Sequence, residues 1–213
     1  MQRSPIRRFV IRFALAYVLL ILPWPGFHAA YSDYFRAFGG MVFAEQTERS
    51  EITFETARDS PRRDQTRVVI VNKALMNYDG SGPVRNLEFD AHSVGWRPIA
   101  LLTALIFATP ISSRRRIRAL VFGTLGIHVF LLLFLVVGIW SEANELPLAI
   151  FAPVTPFWKE VATGARRLLI SQIGLFLPVL VWGVVTFRRD DMIGLLAARY
   201  ASIPPLKNTV VNG

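Results

Sequence analysis

Cysteine is absent from the 213 residues. That excludes disulfides, thiolate nucleophiles and every Cys-based zinc or iron–sulfur centre. Histidine is scarce, with only His28, His92 and His128. No HExxH, CxxC, GxSxG or GxxxxGKS/T pattern occurs, so the common zinc-protease, redox, hydrolase and P-loop readings have no motif to stand on. Neither a cofactor nor a metal is expected. Charge is thin as well: 18% of residues are charged, where soluble domains carry about a quarter. What fills the space is apolar, 53% of the chain, and the deficit of charge points to a lipid-embedded protein. The formal net charge of +9 would suggest nucleic acid in a soluble chain; in a membrane protein it reports orientation.

A membrane-spanning helix needs roughly 20 mostly apolar residues. Four stretches approach that length: Phe9–Phe27, Val94–Ser112, Ala119–Trp140 and Leu168–Phe187. The third is long and free of formal charge. The second has a short uncharged core, with Trp96 and Arg97 placed to sit at a headgroup boundary. The expected fold class is a mainly α membrane protein with four transmembrane helices and a small external α+β insert. Its divisions are 1–27 (inner N-terminus and first span), 28–93 (external helix and β-meander), 94–140 (second span, arginine-rich turn, third span), 141–167 (external loop with a short interfacial helix), 168–187 (fourth span) and 188–213 (inner tail).

The charges sort by link. The segment before span one with Arg12 one turn inside it, the link between spans two and three, and the tail after span four hold twelve basic residues, Arg7, Arg8, Arg114, Arg115, Arg116, Arg118, Arg188 and Arg189 among them, against Asp190 and Asp191. The two intervening links are close to neutral. The positive-inside rule then places both termini in the cytoplasm of a bacterial-type inner membrane. "SSRRRIR", from Ser112 to Arg118, reads as a tight cytoplasmic turn rather than a nucleic-acid site, since it offers no aromatic stacking groups or folded basic surface. A secretory signal over span one is disfavoured because Phe27 or His28 would occupy a position that wants a small side chain.

The first external link opens on an aromatic stripe of helical spacing. Tyr31, Tyr34, Phe35 and Phe38 belong to it. It rests on the membrane or the domain core, or else offers a partner surface. Gly39-Gly40 is expected to loosen or bend that helix. "EITFETA", "RVVIVNKA" and "VRNLEFDAHS" read as strands separated by turn-forming runs, which fits a three-stranded antiparallel meander. In the second external link, Thr155-Pro156 is a good helix start, and Glu142, Asn144 and Glu145 form a small acidic cap that reads as a solvated turn.

Polar groups at membrane depth invite a functional reading. His128 in span three and Gln172 in span four are read first as helix-to-helix hydrogen bonders. Ala100, Ala104 and Ala108 make a small-residue stripe that serves either packing inside the bundle or docking of another protein. Pro110 and Pro178 are candidate kink sites. The alternative function is a subunit of an oligomeric transporter or channel, with a polar path through His128 and Gln172. A membrane enzyme built on His28, Asp33, Arg36 and His92 is a third reading, which no spacing requires.

"RPIALLTALIFATPISSRRRIRALVFGTLGIHVF", Arg97–Phe130, resembles the second half of small integral membrane proteins associated with bacterial exosortases, in particular the exosortase H-associated type. The basic N-terminus, single span and β-rich external insert resemble that layout too. Exosortases themselves use a Cys, Arg and His set, so a chain without cysteine is not that transpeptidase. The resemblance implies an accessory role in envelope protein sorting and assigns no catalytic residue. The expected partners are the lipid bilayer and another integral membrane protein, with no nucleic acid.

Overall fold

The computed structural model describes residues 5–43, 50–57, 65–78, 81–143 and 174–187, with isolated positions between 155 and 164. The first helix, α1, runs over Pro5–Ile21. Proline suits the first turn, where its missing N–H costs nothing. The helix stops short of the expected Phe27 because Pro23 and Pro25 cannot continue it, and Gly26 takes a positive φ of 77° that glycine adopts without strain. A new helix, α2, then runs over Phe27–Phe43.

Helix α2 runs unbroken through Gly39-Gly40. Gly39 is needed for a close approach: a Cβ there would lie 2.6 Å from Phe54 Cδ1, so the glycine lets a strand's aromatic ring sit against the helix.

Strands β1 (Ser50–Thr56), β2 (Gln65–Asn72) and β3 (Val84–Asp90) form an antiparallel sheet in the order β1-β2-β3. The register pairs Ile52 with Ile70 and Val68 with Leu87. Side chains alternate across a strand, so Ile52, Val68, Ile70, Leu87 and Phe89 all point into one core. The outer face is solvated and mixed in charge, with Arg67 paired to Glu88 at 3.0 Å and Lys73 to Glu51 at 3.4 Å.

From β3 the chain makes a π-helical turn, His92–Trp96, that feeds directly into α3, Arg97–Ala108. Thr109 ends it in extended conformation, the state favoured for a residue preceding proline. Pro110 therefore terminates the helix instead of kinking it. Next, α4 covers Ser113–Ala143, 31 residues or about 46 Å. Arg114, Arg115, Arg116 and Arg118 lie in its first turns rather than in a loop, and the actual turn is only Thr109–Ser112. The last described helix, α5, covers Gly174–Thr186 and holds Pro178 in its interior.

The molecule is thus mainly helical, with a small three-stranded antiparallel sheet. Among the described residues, α4 alone is long and apolar enough to cross a membrane by length and composition. The 17 residues of α1 span only about 25 Å, and the run His92–Ala108 and α5 are no longer. Prolines cut α1 and α3 below the lengths the apolar runs suggest.

Two cores follow. In the first, α2 and the second half of α4 cover the sheet: Phe35, Phe43, Leu131, Phe134, Leu135 and Ile139 meet the strand residues. In the second, α3, α4 and α5 meet through Leu102, Ile106, Ala119, Ile127, Leu177 and Val181, with α1 lying along α3. Ala100, Ala104 and Ala108 are 0%, 0% and 1% exposed, so that stripe is used inside the chain and is not an open seam.

Candidate functional site

A cluster of polar side chains lies at the junction where the helical bundle meets the sheet. Two chain entries converge there: the start of α2 and the π-helical turn before α3. Their histidines, His28 and His92, stack face to face with ring centroids 3.9 Å apart and planes 14° apart. Asp90 holds the turn by accepting from the backbone N–H groups of His92 (3.1 Å) and Ser93 (3.2 Å) and from Ser93 Oγ (2.6 Å). Burial pushes the Asp90 carboxyl up. The Ser93 hydrogen bonds and the nearby His92 and Arg97 outweigh that, leaving it below the ordinary carboxylate value.

Tyr31 packs into the same junction. A Cβ on Gly95 would fall 3.0 Å from Tyr31 Cζ, so the glycine makes room for the phenol. Burial first, and Tyr34 second, raise the Tyr31 hydroxyl above its usual range. Trp96 donates its indole N–H to the Leu20 carbonyl at 3.0 Å and meets Phe27 edge-on at 4.5 Å. Trp24 lies just past α1 and donates to the Leu19 carbonyl. The junction is thus ringed by aromatic residues.

One turn away, His128 bridges α4 to α2. Its Nδ1 lies 2.8 Å from the Thr124 carbonyl, which can only accept, so Nδ1 carries the proton. Its Nε2 lies 3.0 Å from the Tyr34 hydroxyl and, in the Nδ1–H tautomer, accepts from it. Phe38 stands edge-on to the same ring. Both nitrogens are engaged inside the chain, and the bond joins two helices. Gln172 lies outside the described residues.

The aromatic stripe of α2 divides by face. Phe35 is 0% exposed in the sheet core and Tyr31 is largely buried, which removes both from any outward partner surface. Tyr34 and Phe38 lie over His128, while Met41 stays exposed on the same helix. Asp33 and Arg36 form an ion pair with each other. Among the described residues no group of three His, Asp or Glu is placed to hold a metal ion.

The opposite end of the bundle is cationic. Arg115 donates to the Thr186 carbonyl at 3.2 Å, covering the last turn of α5. Arg116 donates to the Ile111 carbonyl and lies over the Phe107 ring. Trp182 donates to Thr109 Oγ1 at 3.0 Å, and that hydroxyl donates onward to the Leu105 carbonyl. Phe9 of α1 packs against Trp182, so Arg7 and Arg8 belong to this end. Arg188 and Arg189 lie outside the described residues, as do Asn144, Glu145, Pro156 and Trp158; Glu142 sits in the last turn of α4. Between the two ends, α1, α4 and α5 expose large apolar side chains: Val10, Leu15, Val121, Leu125, Leu180 and Val184 among them.

The pairing of His128 with Tyr34 and of His28 with His92 had no sequence signal beyond the rarity of histidine itself. No family model matches the chain, and neither a curated protein nor a solved structure does.

Proposed function

We propose that the protein is a non-catalytic accessory protein of a bacterial-type inner membrane, holding its α+β unit against the outer surface beside another integral membrane protein. A link to exosortase-dependent sorting is the most specific form of this reading and rests on the sequence resemblance alone. The observation that carries the membrane part is the girdle of exposed apolar side chains on α1, α4 and α5. It is bounded by arginines at one end and by Trp24, Trp96 and their aromatic neighbours at the other, the order expected across a bilayer. In this reading α1, the run His92–Ala108, α4 and the segment ending in α5 are four spans, and α1 and the run ending at Ala108 are completed at the headgroups by their flanks at Pro23, Pro25 and Pro110. The engagement of both His128 nitrogens within the chain weighs against a transport path.

The absence of cysteine makes the test direct. Single cysteines at Tyr78, Ser112 and Leu125 are challenged with an impermeant thiol reagent in intact cells. Tyr78→Cys reacts at once, Ser112→Cys only after permeabilisation, and Leu125→Cys only in detergent. Equal reactivity of all three in intact cells sinks the membrane reading. The accessory role is tested by isolation in mild detergent: a larger membrane protein accompanies the chain, whereas a lone monomer argues against the role.

A further inference from the structure

We infer that the arginine-bearing end of the bundle binds the phosphate groups of anionic phospholipids in the adjoining leaflet, through Arg8 and Arg12 of α1 and Arg114 and Arg118 of α4. The inference rests on the membrane reading. All four side chains are exposed, and among the described residues none makes an ion pair or hydrogen bond. Helices α1, α3 and α5 contain no Asp or Glu, and in α4 the only one is Glu142, at the far end. Among the described residues, these helices therefore supply no carboxylate to this cluster.

The surplus of donors continues beneath the surface. Among the described residues, Arg116 Nε and Thr186 Oγ1 are buried without a hydrogen-bond partner, beside the Arg115–Thr186 contact. Three arginines in the opening turn of α4 also oppose its macrodipole, which favours anions there. An anion at this end answers all three conditions, and a lipid phosphate is the anion fixed at that depth. Orientation during insertion explains why arginines lie on this side; it does not neutralise them afterwards.

The full chain is placed in vesicles of phosphatidylcholine, with or without phosphatidylglycerol. Retained lipid is counted by native mass spectrometry, and thermal unfolding is followed in parallel. Phosphatidylglycerol is preferentially retained and raises the melting temperature. Arg114→Gln/Arg118→Gln lowers that preference about fivefold per arginine, the usual strength of a basic side chain at an anionic surface. The matching lysine pair keeps most of it, which separates charge from misfolding. An unchanged preference in both the Arg114/Arg118 and the Arg8/Arg12 glutamine pairs overturns the proposal. So does inorganic phosphate reproducing the whole melting shift in detergent, which would mark a small-anion site. Failure to co-float with neutral vesicles overturns the membrane reading itself, whereas insertion without lipid preference overturns only this inference.

Discussion

Between Ser113 and His128, α4 packs on other helices; between Val129 and Ala143 the same helix packs on a sheet. The inward residues differ in size accordingly. The first half presents Ala119, Gly123, Gly126 and Ile127, with Gly123 against Leu102 and Gly126 against Val181. The second half presents Leu131, Phe134, Leu135 and Ile139, with the small Gly138 against Leu87 and Phe89 and Ala143 buried in the same core. Small residues let helix backbones approach closely, whereas a sheet carries its own side chains between backbones and needs large partners to fill the gap. The outward face does not change: Val121, Leu125, Val129, Leu133 and Val136 are exposed along its length. The large inward residues are thus concentrated where the helix meets the sheet, with Gly138 the exception where Leu87 and Phe89 come close, while hydrophobicity does not distinguish the two halves.

The largest effect that sharpens this contrast comes from removing volume in the second half. Leu135 is 0% exposed, and Leu135→Ala is expected to cost about 2–5 kcal/mol through lost burial and a cavity. Leu133, two residues away, is 56% exposed, and Leu133→Ala should stay within about 0.5 kcal/mol. Equilibrium unfolding in one detergent measures both. Equal costs would mean that the sheet does not sit on this face.

Adding volume in the first half comes next. A Cβ at Gly123 would lie 2.9 Å from Leu102 Cδ2. Gly123→Val is expected to cost about 1–3 kcal/mol by overpacking, and Gly123→Val/Leu102→Ala should recover part of it. A neutral Gly123→Val would show that α3 and α4 are further apart than described.

Why α4 changes neighbours halfway could not be read from its sequence. "LLLFLVV" looks the same whether one face meets lipid or both do, since periodicity vanishes when all faces are apolar. The strands were legible for the opposite reason: β3 alternates charged or polar with apolar residues, so Leu87 and Phe89 announce the buried face. For β2 the turns on either side set the limits. The helix ends were misjudged where hydrophobicity outran proline; Leu22 and Ile111 count as apolar but lie beyond the last helical turn. At the junction, no local pattern links His28 to His92 or Tyr34 to His128, because each pair is joined only by the folding of distant segments.

The smallest effect concerns the join between the two regions. Asp90 ends the sheet and caps the turn leading into α3, so it couples them. Its carboxyl titrates below the ordinary value in the folded protein. Protons thus bind more readily to the unfolded chain, and the charge stabilises the fold above about pH 4, with that contribution lost as pH falls through the folded value. Asp90→Ala removes both cap and charge and is expected to cost about 1 kcal/mol at neutral pH. Asp90→Asn keeps an acceptor for the His92 and Ser93 N–H groups, so it should cost less at neutral pH and remove the Asp90 step from the acid titration of stability. Partial solvent exposure keeps that step small. If wild type and Asp90→Asn lose stability in parallel between about pH 5 and pH 2, the carboxylate has no preferential hold on this turn, and the turn is held by its packing against Tyr31 and Phe27.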